Sequence, residues 1–443
     1  MLTNLVIDPG MIITLFFILF FIFVFLGIPI TFSLGLSGLI ALLLGGAKLS
    51  LAFKAIFMPY ASFTMLAIYL FMCMGIVFQK TGLASLLVDA LEPLVGRVKG
   101  GLAIVNVLAS ALFGTLTGSA NATAATFSRL MGPEMIRRGY PKPFVVSVIA
   151  ASAPLGSFIP PSITGIVLSV ATNTSVLTNF MVGAAIGFLV ITMLILMILV
   201  IAYRGRGHSF GSSLEVRYSS KEIVIRIIKA LPLITVPLVV LGGIYFGVFS
   251  VTEGGAAGCL AAFLLALAYR RLSIKSLYEI LLESAAGTGM VMLLVGVSYL
   301  MSYTMSLTGL NKVFIDMLRF VASETSPYIA LLILVCILLA LGCFIDVIVL
   351  CIAMAPFAVL ALVPLGVNVY HINALFLAGN LIGNVTPPVG TVLFITLQSL
   401  KEKMENVIKA LIPFIIAYIV VYLILTFIPE LILWFPRLLG LPT

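Results

Sequence analysis

The sequence predicts an all-α polytopic membrane protein built from two inverted repeats. Its 443 residues are 62% hydrophobic and only 9% charged, with a mean hydropathy of +1.29, a composition that soluble globular domains do not have. Many apolar runs reach the roughly 20 residues that a helix needs to cross a bilayer. Two Pro-Pro pairs interrupt apolar runs at corresponding places in the two halves, and the basic residues are concentrated in a few loops.

The apolar runs place the membrane-spanning segments in order along the chain. Residues 83–94 lie between two of them and have the pattern of an amphipathic helix at the membrane surface. We predict spans over 11–27, 33–47, 61–79, 143–172, 176–203, 230–250, 254–270, 284–308, 371–400 and 408–436.

Two further apolar segments, 100–131 and 327–360, do not have the pattern of single spans. Polar residues interrupt the first at 117–121 and the second at 342–346. The arms on either side have only about 12–17 residues, which is short for a crossing. We therefore predict two re-entrant hairpins whose polar tips lie near the middle of the membrane.

A Pro-Pro pair follows each hairpin, Pro160-Pro161 in the first half and Pro387-Pro388 in the second. Each pair comes four residues after a glycine. Because proline removes a backbone donor and clashes with the preceding turn, two in succession should divide a helix into halves; the alternative is a simple kink. Broken helices at matching positions of two membrane repeats are the sequence pattern of a transporter's binding site.

The basic residues indicate the topology. Loops 80–99, 129–142, 204–229, 270–275 and 401–409 carry 3, 4, 6, 3 and 3 of the 24 Lys and Arg residues. With both hairpins counted as re-entrant, these loops fall on one side, which the positive-inside rule assigns to the cytoplasm. The first hairpin then enters from the cytoplasm and the second from outside, so the repeats are inverted and both chain termini lie outside.

The hairpin tips carry groups that suit ions. Free N–H groups at a half-helix start favour anions, and free carbonyls at a half-helix end favour Na⁺. We expect Thr117, Ser119 and Asn121 to face Ser157 and Ser162 at the first break, although Ser119 and Asn121 could simply cap the hairpin helix. At the second break Asp346 should face Asn380, Asn384, Thr386 and Thr391.

Asp346 is an acid inside the apolar run 338–350, with no basic residue nearby in sequence. An acid within the membrane is costly and is therefore a candidate functional residue. The alternative is a protonated or hydrogen-bonded Asp that caps the second arm of the hairpin.

Other classes of protein lack support. The five cysteines have no C-x-x-C spacing and the two histidines are isolated, so we expect no metal centre. Motifs for ATP binding, zinc hydrolysis or a nucleophilic serine are missing from the sequence. We therefore expect that the protein is not an enzyme and has no organic cofactor. The basic residues lie in the loops between the spans of a protein embedded in the lipid bilayer, so we expect no nucleic-acid partner.

Residues 114–126, 133–140 and 155–162, and in the second half 342–356 and 379–390, resemble the DctM-type large membrane subunit of tripartite ATP-independent periplasmic (TRAP) transporters. The resemblance covers nearly the whole chain. It implies an elevator-type transporter driven by Na⁺ that imports a small organic anion across the inner membrane of a bacterium or archaeon. Its implied partners are a periplasmic substrate-binding protein and a small four-helix membrane subunit, which we expect as a separate chain.

The resemblance also implies domains and ligands. N-terminal scaffold helices would occupy 1–99, the first transport unit 100–172, scaffold and connecting helices 173–308, the second transport unit 309–400, and a C-terminal helix 401–443. Sodium site 1 would use Ser119, Asn121, Gly156, Pro160 and Ser162. Sodium site 2 would use Gly342, Asp346, Asn384, Thr386 and Gly390. The substrate cavity would include Thr117, Gly118, Ser157, Asn380, Pro387 and Pro388.

Two alternatives remain open at this point. The first is a stand-alone sodium- or proton-coupled anion symporter or antiporter of related architecture, which needs no binding protein. The second is a membrane enzyme or an assembly scaffold. An enzyme should show clustered His, Asp or Glu at one membrane face, which the sequence lacks.

Overall fold

The computed structural model describes residues 8–96, 98–204, 218–387 and 390–443. Every regular element within those ranges is helical, which confirms the predicted all-α class. Six helices there are long and apolar enough to cross a membrane, and two further pairs, bent by 46° and 45°, bring the number to eight if each pair is one span.

The helices follow one another with short connections. They are α1 (Pro9–Phe25), α2 (Ile30–Leu44), α3 (Leu49–Phe57), α4 (Leu66–Lys80), α5 (Ala84–Val95), α6 (Gly101–Thr117), α7 (Ala120–Leu130), α8 (Gly132–Arg137), α9 (Lys142–Ser152), α10 (Leu155–Phe158), α11 (Ile163–Thr172), α12 (Val176–Arg204), α13 (Ser220–Tyr245), α14 (Val251–Ala268), α15 (Ile274–Leu307), α16 (Leu310–Glu324), α17 (Pro327–Gly342), α18 (Val347–Ala353), α19 (Ala355–Leu362), α20 (Val369–Gly383), α21 (Thr391–Leu400), α22 (Met404–Phe427) and α23 (Glu430–Leu438). Short 3-10 turns occupy Met58–Ala61, Phe63–Met65 and Val363–Leu365.

Most of the helices belong either to one scaffold layer or to one of two repeats. Helices α1–α4 pack with α13–α15, mainly through α4 against α14 and α15, and through α15 against α2 and α3; we call this group the scaffold layer. The first repeat comprises α6–α11 and the second α17–α21. Helix α4 contacts α6, and α15 contacts α18, so the scaffold layer touches a hairpin from each repeat.

The hairpins form where the polar interruptions predict them. Helices α6 and α7 meet at Gly118 and Ser119, and Gly118 adopts the left-handed conformation (φ +59°) that the sharp reversal requires. Helices α17 and α18 meet at 343–346. The second arm of this hairpin is bent by 45° between α18 and α19.

The two repeats exchange contacts in a two-fold pattern. Within each repeat, the first hairpin arm packs on its own broken helix: α6 on α9 and α10, and α17 on α20. The second arms cross over, so that α7 packs on α21 and α18 packs on α11. This exchange is the one that a two-fold axis between the repeats generates, and it brings both tips together.

Helix α22 packs on both repeats. Its Tyr418 hydroxyl donates a hydrogen bond to the carbonyl oxygen of Ala151 in α9. Its Tyr422 hydroxyl donates to the carbonyl oxygen of Leu375 in α20 at 2.6 Å. Both tyrosines are fully buried, so this one helix fastens the first halves of the two broken helices.

Several elements differ from the sequence prediction, among them α3 and α8, which lie outside every predicted segment. The predicted span 408–436 is two helices, because Ile428 leaves helical geometry (φ −126°, ψ 74°) just before Pro429. Helix α15 begins ten residues before the predicted 284, at Ile274, where Ser273 and Ser276 form a capping box. Helix α16 was not predicted; it is an amphipathic helix that lies between two strongly apolar segments.

Candidate functional site

Both hairpin tips open onto one cavity of about 330 Å³. The repeats supply most of its wall, and the scaffold layer supplies the rest. The scaffold residues are Thr31, Met72, Met290, Val291 and Leu294. The cavity therefore lies between the two repeats and the scaffold layer.

At the first tip, Ser119 is the N-cap of α7 and its hydroxyl accepts a hydrogen bond from the Ala122 amide at 3.3 Å. Asn121 lies two residues further on and is exposed to the cavity. The Ser119 carbonyl accepts a hydrogen bond from the Thr123 hydroxyl at 2.9 Å. A Cβ added to Gly156 would lie only 2.8 Å from that carbonyl oxygen, so the tip rests directly on the first broken helix.

Ser162 stabilises the first helix break by hydrogen bonds to the residues on either side of it. Its hydroxyl accepts a hydrogen bond from the Gly165 amide at 3.1 Å and donates one to the Ser157 carbonyl. Ser162, Gly156 and Pro160 are buried and are not among the cavity-lining residues, whereas Ser157 is. The Ser162 side chain thus shapes the break and does not reach the cavity surface.

At the second tip, Asp346 is the N-cap of α18 and its Oδ1 accepts a hydrogen bond from the Ile348 amide at 2.8 Å. Asp346 also lines the cavity. Within the described ranges, no Lys, Arg or His forms a salt bridge with it. The capping role considered from the sequence is therefore present, and the carboxylate also faces the cavity.

The second break places backbone and side-chain oxygens close together. The Asn384 Oδ1 accepts a hydrogen bond from the Thr391 hydroxyl at 3.0 Å, and the Thr386 hydroxyl donates to the Ile382 carbonyl at 2.6 Å. A Cβ on Gly390 would lie 3.1 Å from the Thr386 carbonyl oxygen and 3.2 Å from that of Asn384. Gly390 thus lets the chain turn tightly around two carbonyl oxygens.

Four half-helices begin at the cavity. The first residues of α7, α11, α18 and α21 all line it: Ala120, Ile163, Val347 and Thr391. None of the described lining residues is Lys, Arg or His, and Asp346 is the one acid among them. Positive potential for an anion therefore comes from half-helix N-termini. The carboxylate, hydroxyl, amide and carbonyl oxygens suit a hard cation.

The sequence as a whole matches a known family. A model of the DctM component of tripartite ATP-independent periplasmic transporters matches residues 17–431. The chain belongs to the DctM family. This confirms the resemblance noted from the hairpin and Pro-Pro motifs, and it makes the chain a TRAP transporter large permease subunit, a polytopic membrane protein.

Individual DctM relatives agree along nearly the full chain. Protein YgiK of Salmonella typhimurium is 34% identical over 95% of this chain and 96% of its own length. The C4-dicarboxylate TRAP transporter large permease DctM of Pseudomonas aeruginosa is 32% identical, over 92% and 95%. The isethionate TRAP transporter permease DctMQ of Oleidesulfovibrio alaskensis is 29% identical, over 94% and 65%. The two named permeases are transporter subunits and not enzymes, which confirms the prediction of a non-enzyme.

The fold is similar to that of a solved transporter structure. The YdaH transporter of Alcanivorax borkumensis superposes with a TM-score of 0.55 at 14% identity, covering 85% of this chain and 88% of that one. The crystal structure of that transporter reveals an unusual topology. At this identity the likeness concerns the fold alone, and it agrees with the helical architecture described above.

In this DctM chain the predicted site residues fall into three sets: those that line the cavity, those that do not, and those that the structure does not describe. Six predicted residues do not line the cavity: Thr117, Gly156, Pro160, Ser162, Thr386 and Pro387. The structure does not describe Pro388 or the side chain of Asn380. The predicted residues that do line it are Gly118, Ser119, Asn121, Ser157, Gly342, Asp346, Asn384 and Gly390.

Sequence reasoning missed the scaffold side of the cavity. Met72 on α4 and Met290 on α15 belong to ordinary apolar helices, and nothing in their local sequence distinguishes them. Thr164 is different, because it follows the named Ser162 by two residues and is the second residue of half-helix α11. The rule that half-helix starts face the site could have found it.

Proposed function

We propose that this chain is the large permease of a sodium-driven secondary transporter that imports a small organic anion. The observation that carries the proposal is the cavity into which four half-helix N-termini and one carboxylate converge. An anion bound there lacks a basic side chain among the described lining residues, so its charge is balanced by helix termini and by co-transported cations.

Na⁺ is a second substrate in this proposal. Sodium site 1 uses the oxygens around Ser119 and Asn121, with Gly156, Pro160 and Ser162 shaping the backbone beneath. Sodium site 2 uses Asp346 and Asn384 with the backbone at Gly342, Thr386 and Gly390. The support is chemical, since hydroxyl, amide, carboxylate and carbonyl oxygens are hard-cation ligands, and it is structural, since both groups lie at helix breaks.

The transport movement we propose is that of an elevator, in which the two repeats cross the membrane as one body against the scaffold layer. Cross-repeat packing of α7 on α21 and of α18 on α11 supports a single moving body. Close contact at Gly75, where an added Cβ would lie 2.6 Å from the Thr117 Cα, marks one surface along which the bodies meet.

The proposed partners are a small membrane subunit and a periplasmic substrate-binding protein, with the complex in the inner membrane and both termini outside. The name of the DctMQ relative, which is longer than this chain, supports the pairing with a small subunit. One relative is named for C4-dicarboxylates and another for isethionate, so carboxylates and sulfonates are both candidate substrates.

Uptake into proteoliposomes tests the proposal. The chain is reconstituted with its small subunit, with and without the binding protein, under an inward Na⁺ gradient and with a panel of labelled C4-dicarboxylates, sugar acids and sulfonates. We expect uptake that requires both Na⁺ and the binding protein.

Two other uptake results would each contradict part of the proposal. Uptake with Na⁺ alone would replace the tripartite proposal with a stand-alone symporter. Uptake that follows a proton gradient and not Na⁺ would make Asp346 a proton carrier and would remove both sodium sites.

A further inference from the structure

The wall that the scaffold layer gives to the cavity is almost entirely apolar. Its described residues are Thr31, Met72, Met290, Val291 and Leu294. The wall is continuous across two helices, because a Cβ added to Gly287 of α15 would lie 3.5 Å from the Met72 sulfur of α4. The three wall residues of α15 come three, four and seven positions after Gly287, and this spacing places them on the same face of the helix. Thr31 has the one hydroxyl among the described residues of this wall.

This apolar wall adjoins the first hairpin tip. Met72 lies one turn before Gly75 on α4, and a Cβ on Gly75 would lie 2.6 Å from the Thr117 Cα. Thr117 is the last residue of α6 and directly precedes the tip at Gly118 and Ser119. A molecule that binds at the tip and extends into the cavity therefore meets methionine and aliphatic side chains on its scaffold side.

Two half-helices begin beside each other at the first tip, and each offers a free side chain. A Cβ on Gly118 would lie 3.6 Å from the Ile163 amide nitrogen, so the tip that precedes α7 lies against the start of α11. Asn121 and Thr164 are the second residues of these helices, and both line the cavity. Neither side chain forms a hydrogen bond with the described residues, although Thr164 is only 4% exposed. With the free amides of the two first turns, these side chains suit one carboxylate or sulfonate.

Other polar side chains of the repeats offer less to a substrate hydroxyl. Ser157 donates its hydroxyl hydrogen to the Pro154 carbonyl oxygen at 2.7 Å. Thr391 donates its hydroxyl hydrogen to the Asn384 Oδ1 at 3.0 Å. A hydroxyl that is buried without a hydrogen-bond partner costs free energy, and the scaffold wall supplies almost no partners. A substrate with many hydroxyls therefore fits this cavity poorly.

We propose that the cavity selects a short organic acid or sulfonate with few or no hydroxyl groups over a sugar acid. The acidic group binds between the starts of α7 and α11, on Asn121 and Thr164, and the carbon chain lies against Met72 and the wall residues of α15. A volume of about 330 Å³ is at the small end of the range for ligand sites, which favours a short chain. This inference rests on the proposed function, because it takes the cavity as the transport site.

Ligand-dependent melting tests the selection on the permease itself, purified with its small subunit in a Na⁺ buffer. The probes are butyrate and threonate, its trihydroxy analogue, which share an acidic group and a carbon chain and differ only in hydroxyls. We expect butyrate to give the same rise in melting temperature at a concentration about tenfold lower than threonate. Equal or stronger stabilisation by threonate would overturn the proposal, and so would a lack of stabilisation by both acids.

Two variants separate the apolar wall from the acid site. Met72→Gln places an amide in the wall and should narrow the ratio of the two concentrations by about threefold. The matched control is Met292→Gln on α15, outside the cavity lining, and it should keep the wild-type ratio. Thr164→Val should weaken both acids alike, because it removes a donor to the group that they share. The same narrowing in Met292→Gln would show that the wall does not set the preference.

Uptake into proteoliposomes distinguishes a failure of this inference from a failure of the proposed function. Na⁺-driven uptake that prefers threonate would leave the proposed function standing and would overturn the selection. Binding of butyrate in preference to threonate, without Na⁺-driven uptake of any acid, would support the selection and contradict the proposed function.

Discussion

Gly383 lies against the backbone of Gly342: a Cβ on Gly383 would come within 2.5 Å of the Gly342 carbonyl oxygen. The first repeat has the same relationship, because a Cβ on Gly114 would lie 2.6 Å from the Gly156 Cα. In both repeats a hairpin arm therefore meets its broken helix backbone to backbone. Gly156 and Gly383 each precede the Pro-Pro pair by four residues.

In the contact between Gly383 and Gly342, an added Cβ would be too close to the backbone at Gly383 but not at Gly342. Substituting each glycine by alanine therefore gives a matched pair of variants. Gly383→Ala should lower stability by about 1–3 kcal/mol and abolish uptake, because its Cβ would meet a carbonyl oxygen that cannot rotate away. Gly342→Ala should melt near wild type, since its Cβ would have no neighbour nearer than 3.8 Å. Thermal melting in detergent measures both. Equal melting temperatures for the two variants would show that this contact is not as tight as described.

Asp346 caps α18, and the proposed binding of Na⁺ can be separated from that capping by substitution. Asn is as good an N-cap as Asp, so Asp346→Asn should keep the melting temperature but lose Na⁺-driven uptake. Asp346→Ala should lose uptake and also about 1 kcal/mol of stability with the cap. Asp316→Asn, at an exposed position of α16, is the control. If Asp346→Asn transports normally, the carboxylate is a cap and not an ion ligand.

Ser119 and Ser162 each cap a half-helix, α7 and α11, but only Ser119 lines the cavity. Ser119→Ala should mainly raise the Na⁺ concentration needed for half-maximal uptake, because Ser119 lines the cavity. Ser162→Ala should mainly lower stability, by about 1–3 kcal/mol, because it removes two buried hydrogen bonds. Titrating Na⁺ at fixed substrate and melting both proteins separates the effects. The same Na⁺ shift in both variants would contradict this division.

We expect the stability of the protein to fall in acid because of Glu134, which lies in α8 just after the first hairpin. Burial raises the pKa of Glu134, but hydrogen bonds from Arg138 and Arg137 outweigh it and lower the pKa below 4.5. When the pKa of a carboxyl group is lower in the folded state than in the unfolded state, the ionised group stabilises the folded protein at any pH above its unfolded-state pKa. This stabilisation is lost as the pH falls through the folded-state pKa.

Melting temperatures between pH 7 and about pH 3 measure this contribution. Glu134→Gln should melt lower than wild type at pH 7 and should approach it at the acid end. Glu324→Gln, which removes a carboxylate with no salt bridge among the described residues, should follow wild type throughout. A constant difference between Glu134→Gln and wild type would rule out the ionised Glu134 as the cause.

The inverted topology is open to labelling with an impermeant thiol reagent. Lys221→Cys should react only in inverted vesicles, because loop 204–229 is predicted to be cytoplasmic. Lys312→Cys, in the segment between the scaffold layer and the second hairpin, should react only from outside. The wild-type protein gives the background from its own cysteines. Labelling of both variants from one side would overturn the inversion.

The parts of the fold that could be predicted are those with local causes. Proline chemistry marks the broken helices, and polar interruptions in short apolar arms mark the hairpins. The exchange of α7 and α18 between repeats has no local cause, because it depends on how distant segments pack. Helix α16 escaped prediction because charged residues interrupt its apolar positions, so that it does not have the continuous apolar run of a membrane span.

The site divides in the same way. Asp346 and Ser119 could be found because a polar residue in an apolar run is conspicuous, and both line the cavity. Ser162 has the same local pattern but points under the break, since capping its own helix fixes the side-chain direction. Met72 and Met290 reach the cavity only because α4 and α15 pass beside it, and no sequence pattern carries that information.

The hydrogen bond from Tyr418 to the Ala151 carbonyl joins residues 267 positions apart. A ribosome that delivers helices to the membrane in order will release the first broken helix long before α22 exists. Until then the Ala151 carbonyl lacks the partner that it has in the finished protein, and an unpaired carbonyl is costly in hydrocarbon. The contacts of the first broken helix are therefore complete only when α22, the last long helix, has been inserted.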